Sequence, residues 1–172
     1  RHDWRAVAAD PYRERPDLAG CESTSGESRP SPLSVAGDAP AISARSLDGD
    51  AIALTNPDGR PTLVLFWNPN CGFCRRMLND LKAWEDEADP RDPRLVLIST
   101  GTSEANRALG LRSPIVLDEG FALGNAYGAT GTPSAVLVDA EGRIASAVTV
   151  GGPDVLGLAR SQREGALASS GD

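Results

Sequence analysis

The chain has 172 residues, with 24 acidic side chains against 17 basic ones and a net charge of -7. That length suits one domain with a real hydrophobic core, and the acidic balance argues against an electrostatic grip on nucleic acid or anionic lipid. The one histidine, His2, lies in a terminal segment, which removes Ser–His and Cys–His catalysis and any histidine-based metal centre.

Residues 1–36 are rich in charge, Pro, Ser and Gly, and read as a flexible N-terminal arm and linker, with at most a short amphipathic turn at Trp4, Val7 and Ala8. From Gly37 the texture changes to apolar runs separated by turn signals, so residues 37–172 are expected to form the folded domain. Residues 41–47 and 51–54 flank Asp48-Gly49, a hairpin signal. Residues 62–66 are a continuous apolar run of the kind buried on both faces of a sheet. A helix follows, with Cys74, Met77, Leu78, Leu81, Trp84 and Ala88 on one face, ended by Pro90 and Pro93.

Residues 94–99 form the next buried strand, and Ser103 is placed to cap a helix through about Leu109. A short strand at 115–117 and a small helix around 121–127 come next. Residues 134–138 and 144–150 then read as two strands joined by Asp139-Ala140-Glu141-Gly142. Pro153 opens a final helix with Val155, Leu158, Ala159 and Ala166 inward. Strands alternating with helices predict an α/β sandwich, with parallel central strands and an antiparallel edge hairpin.

The chemistry is concentrated in Trp67-Asn68-Pro69-Asn70-Cys71-Gly72-Phe73-Cys74-Arg75-Arg76. The preceding strand ends near Trp67 and the helix begins near Cys71, with Asn68 or Asn70 available as its cap. A cysteine at a helix N-terminus faces unpaired backbone N–H groups, which favour the thiolate. Two intervening residues bring the second sulfur round by one turn to reach the first. Arg75 and Arg76 add positive charge expected to lower the thiol pKa further. Cys71 is thus the expected nucleophile and Cys74 the buried partner. A zinc half-site is disfavoured because Cys21 is the only other thiol, and inert buried cysteines would have no need of a strand–helix junction.

The Phe66-Trp67 pair ahead of the cysteines, Tyr127-Gly128-Ala129-Thr130-Gly131-Thr132-Pro133 ahead of a strand, and the Glu141-Gly142 turn resemble the thioredoxin superfamily. Gly37-Asp38-Ala39-Pro40 with its hairpin, and the insert holding Pro114-Ile115-Val116-Leu117-Asp118, resemble its TlpA-like and redoxin branch, often tethered outside the bacterial cytoplasm. The resemblance covers roughly residues 37–168. It implies a three-layer sandwich with a mixed central sheet and an N-terminal hairpin extension, and a thiol–disulfide oxidoreductase without a cofactor or metal. Its partners would be protein thiols and disulfides and a further redox protein. It also implies a cis peptide at Thr132-Pro133 packed against the cysteines, presenting the Thr132 backbone to an extended substrate. Trp67, Gly72, Phe73 and Arg75 would support the site.

Departures from the family pattern stand beside the likeness. Leu65 occupies the place of a buried Asp found in many thioredoxins, and Met77 that of a Glu found in some TlpA-like reductases. Neither proton shuttle is available to Cys74, and the Gly72-Phe73 dipeptide leaves the direction of electron flow open.

Three readings follow: an oxidoreductase acting on protein partners, a peroxiredoxin-like redoxin acting on small peroxides or thiols, and a redox-inert module that holds a peptide. Asn68 stands where peroxiredoxins carry Thr or Ser, which weighs against the second. Copper-assembly relatives would need three residues between the cysteines and a downstream His.

Leu18-Ala19-Gly20-Cys21 matches a lipobox, but Arg13, Glu14, Arg15 and Asp17 stand where its apolar region should lie. A chance thiol in the arm is the preferred reading, with thiol-linked dimer formation an alternative. The chain opens on Arg1 and its only methionine is Met77, leaving room for a signal or membrane tether upstream. An extracytoplasmic location, periplasmic or in the cell envelope, is the expectation, with the cytoplasm as the alternative.

Overall fold

The computed structural model describes residues 35–87 and 89–169. At its centre lies β1 (Thr62–Trp67), in which every residue is buried. A strand is buried along its whole length only when both faces of the sheet are covered. Side-chain alternation divides β1 between two cores. Leu63, Leu65 and Trp67 pack on one face with Cys74, Met77, Leu81 and Trp84. Val64 and Phe66 pack on the other with Ile42, Tyr127 and Ile144.

Two more parallel strands lie to one side: β2 (Arg94–Ser99) beside β1, and β3 (Ile115–Leu117) beside β2. On the other side β4 (Ser134–Val138) runs antiparallel to β1, and β5 (Thr149–Val150) antiparallel to β4. The order β3-β2-β1-β4-β5 makes a mixed sheet between flanking helices, as the sequence predicts. One face is covered by α1 (Gly72–Glu87), which buries Cys74, Met77, Leu81 and Trp84 at helical spacing. Alongside it α4 (Gly152–Ser169) buries Val155, Leu156 and Ala159, while Leu158 is half-buried. Ala88 and the side chain of Ala166 lie outside the described residues, as do Cys21 and nearly all of the N-terminal arm.

The structure differs from the expected elements in four places. The 41–54 hairpin reduces to a single bridge, Arg45 to Ala51, around a turn in which Gly49 adopts φ +89°. Its backbone is drawn to other partners: Ser46 bridges Val116, Leu47 N–H donates to Ile115 O at 2.8 Å, and Thr55 bridges Glu141. The expected strand at 144–150 survives only as β5 and an isolated bridge, Val138 to Ile144. Ser146 is the reason, since its hydroxyl accepts the Leu137 N–H at 2.9 Å where a strand carbonyl would have served.

The cap of α2 (Ser103–Arg107) is Thr102, not Ser103; the extended Thr102 backbone lets its hydroxyl accept the Ala105 N–H at 3.1 Å. The helix around 121–127 splits into a 3-10 turn (Glu119–Phe121) and α3 (Ala122–Ala126). Phe121 there adopts φ +60° and sets its ring edge-on to Phe66 at 6.1 Å. A Cβ on Gly124 would come within 2.4 Å of the Phe121 ring, so only glycine fits.

Candidate active site

β1 delivers the chain to the end of the sheet, and α1 starts five residues beyond Trp67. Asn68 organises the turn between them. Its side chain accepts the Asn70 N–H at 2.9 Å, and its carbonyl accepts the Cys71 N–H at 3.0 Å. The local hydrogen bonding of Asn thus ends the strand and aims the next peptides into the helix. The expected cap is not seen from either asparagine: the Asn68 oxygen accepts the N–H of Asn70, which precedes the first helical residue, Gly72.

Cys71 and Cys74 are both free thiols, the first half-buried and the second completely buried. The loop before β4 closes over them. Its Thr132–Pro133 peptide is cis, and the Cys71 Sγ–H donates to the Thr132 carbonyl at 3.4 Å.

Electrostatics separate the two sulfurs. Burial is the largest single influence on Cys71 and pushes its pKa up. Hydrogen bonds from the Cys74 and Phe73 backbone and from the Thr132 and Cys74 side chains outweigh it, and the thiol lies below its ordinary value. These backbone donors belong to the first turn of α1, as the helix N-terminus implies. Burial pushes Cys74 the other way, up to about 12, reinforced by the Cys71 charge and opposed by the Asn68 backbone and Thr132 side chain. A more readily ionised thiol on the outside and a protonated one behind it is the arrangement that disulfide exchange needs.

Arg75 and Arg76 do not act as the sequence suggests. Both are exposed, and neither is among the causes that move Cys71. Arg76 instead lies 5.8 Å from the centre of the Phe73 ring. Water and salt screen such surface charges. Leu65 and Met77, which replace the two acids of the family pattern, are 0% and 3% exposed and share the core with Cys74. Asp118, 4% exposed, uses its two oxygens to accept the Leu123 and Gly124 N–H groups at 2.9 and 3.0 Å.

Of the remaining predicted residues, Trp67 is wholly buried beneath the site, and its indole N–H has no acceptor among the described residues. Gly72 is exposed, and Phe73 stands 66% exposed beside Cys71. Sequence reasoning missed Val150, which is 52% exposed and paired with Ser134 next to Pro133. It also missed Leu156 and Arg160 on α4, which line a groove together with Phe73. Nothing in the local sequence of α4 signals this, because only the fold brings that helix to the cysteines.

The thioredoxin-like domain family model matches residues 49–153, and the chain belongs to that family. Relatives include the thiol-disulfide oxidoreductase ResA of Halalkalibacterium halodurans, 26% identical over 110 residues, covering 61% of this chain and 62% of the relative. ResA of Bacillus subtilis is 25% identical over 126 residues, 68% of each chain. The chain thus spans a little under two thirds of the first relative. Among solved structures, the thioredoxin domain of a thiol-disulfide oxidoreductase from Bacteroides vulgatus superposes with a TM-score of 0.60 at 26% identity, covering 75% of this chain and 97% of that one.

Proposed function

We propose that this chain is a thiol–disulfide oxidoreductase that exchanges disulfides with protein partners through Cys71 and Cys74. The observation that carries this reading is the division of labour within one helical turn: Cys71 is accessible with a lowered pKa, while Cys74 is buried with a pKa of about 12. The ResA relatives, named for this activity, support it.

In the reducing direction the Cys71 thiolate attacks one sulfur of a partner disulfide, and the other partner sulfur leaves as a thiolate. Cys74 then loses its proton and attacks the Cys71 sulfur. The mixed disulfide breaks, the second partner thiol is released, and Cys71–Cys74 closes as a disulfide. Two electrons pass to the partner. The reverse sequence oxidises a partner dithiol, and the relative potentials set the direction.

The Thr132 backbone, beside Cys71, would hold the partner strand in register, with exposed Phe73 and Val150 giving it apolar contact. Trp67 and Gly72 would support the loop that carries Cys71, and Arg75 its rim. Among the described residues no helix is long and apolar enough to cross a membrane, and no group of three metal-ligating side chains occurs. An extracytoplasmic setting fits the TlpA-like resemblance.

Trapping tests the assignment. With Cys21 replaced by Ser, Cys74→Ser should accumulate a stable mixed disulfide with partner proteins, and Cys71→Ser should accumulate none. The opposite pattern would reverse the roles.

A further inference from the structure

Between the N-terminal halves of α1 and α4, beside the cysteines, lies a groove of about 570 Å3. Its apolar lining is Phe73, Met77, Pro153 and Leu156. Phe73 comes from between the two cysteines. On the facing wall of the same end Gly152 follows Gly151, whose N–H donates to the Pro133 carbonyl at 2.9 Å. The groove therefore begins at the reactive loop and runs away from it, where residues flanking a partner's cysteine would lie. A side chain at Gly152 would meet Met77 at 3.6 Å, so the absence of one keeps that end open.

Its charge is asymmetric. Arg76 and Arg160 line it against a single carboxylate, Asp80. Both arginines are exposed, and among the described residues neither is in a salt bridge. This local excess of positive charge stands out in a chain whose net charge is -7. At physiological salt the interaction range is about 8 Å, so a docked segment responds to these guanidinium groups more than to the distant acids.

We propose that the groove selects partner segments carrying an apolar side chain and a carboxylate next to the disulfide cysteine. The apolar residue packs on Phe73 and Leu156, and the carboxylate lies between Arg76 and Arg160. This selectivity rests on the exchange activity proposed above. It names the class of protein disulfide that reacts fastest.

The probes are two peptides, Ala-Leu-Glu-Cys and Ala-Leu-Lys-Cys, each with its cysteine as a 2-thiopyridyl disulfide. Reduced protein with Cys21→Ser attacks the peptide sulfur and releases thiopyridone, which is followed by absorbance at low salt. Each rate is divided by that of the same peptide with dithiothreitol, which removes intrinsic differences in disulfide reactivity. The Glu peptide should react about fivefold faster than the Lys peptide, the span available to exposed ion pairs. In Arg160→Glu the ratio should fall to about one or below, and Arg76→Glu should lower it in the same direction. Equal normalised rates in the parent protein would overturn the proposal, as would a ratio that neither substitution changes. Concentration-dependent self-association abolished by Arg160→Glu, without peptide discrimination, would assign the groove to a second copy of the chain and also overturn it. Failure to react with 4,4′-dithiodipyridine would instead count against the exchange activity itself.

Discussion

A mixed disulfide on Cys71 has to wait until Cys74 loses its proton, and that wait imposes a pH profile. The rise of the Cys74 pKa from 9.0 to about 12 disfavours its thiolate by about 4 kcal/mol. At pH 7 only about one Cys74 in 10^5 is then ionised. Once Cys71 is tied up in the mixed disulfide its charge no longer opposes ionisation, but burial, the larger cause, remains. The rate of resolution should therefore climb about tenfold per pH unit from 7 to 9, because the thiolate is the attacking species.

The assay is a two-step mixing experiment on reduced protein carrying Cys21→Ser. 4,4′-Dithiodipyridine first loads Cys71 at pH 5, releasing one thiopyridone. A jump to higher pH then starts release of the second as Cys74 closes the disulfide. Cys74→Ser should show the first release and lack the second. A plateau below pH 9 would refute the reasoning, since it would mean that a base within the protein takes the Cys74 proton.

Installing such a base gives a related expectation: Leu65→Asp should move the resolution profile to lower pH, at a stability cost on the order of 3 kcal/mol for the buried polar group, read by urea unfolding. A profile left in place would show that position 65 does not communicate with Cys74. Thr132→Val should raise the Cys71 pKa, because it removes a hydroxyl that favours the thiolate; thiolate absorbance in the reduced Cys21→Ser protein reports it, and an unchanged or lower pKa would contradict the role. The reduced protein should also lose stability as pH rises above 9.0. Unfolded Cys74 ionises there while native Cys74 stays protonated until about 12, so the slope reaches about 1.4 kcal/mol per pH unit. Tyr127, whose pKa burial also raises, adds to this loss at higher pH, whereas the lowered Cys71 pKa works the other way below 9.0. Urea titrations of the reduced and disulfide forms should diverge with pH above 9, and parallel curves would contradict the assignment.

The central sheet was legible because its strands need little context. The runs in β1 and β2 are apolar at every interior position, and such segments settle between two helical layers whatever the loops do. The spacing of Cys74, Met77, Leu81 and Trp84 likewise identified the buried face of α1. The segments at 41–54 and 144–150 were less legible because their partners are remote in sequence. Ile144 N–H donates to Gly37 O at 2.8 Å, and Leu47 N–H to Ile115 O at 2.8 Å. Those pairings outweigh the local hairpin signal.

At the site, the position of the cysteines at a helix start was readable from the residue types around them. The source of their electrostatics was less so. Adjacent arginines suggested a charge effect, yet solvent weakens exposed charges, while the backbone donors and Thr132 act at hydrogen-bond range. The groove on α4 was invisible for a further reason: Arg160 and Phe73 become neighbours only when the two helices pack on the same face of the sheet.

The most direct test of the account is the redox equilibrium of the two thiols. The Cys21→Ser protein would be equilibrated in buffers of varied reduced and oxidised glutathione, acid-quenched and alkylated, and the modified cysteines identified by mass. The account predicts that Cys71 and Cys74 lose and regain alkylation together in one two-electron transition, absent when either is replaced by Ser. Thiols that stay alkylatable at every glutathione ratio, or that oxidise independently of each other, would contradict it.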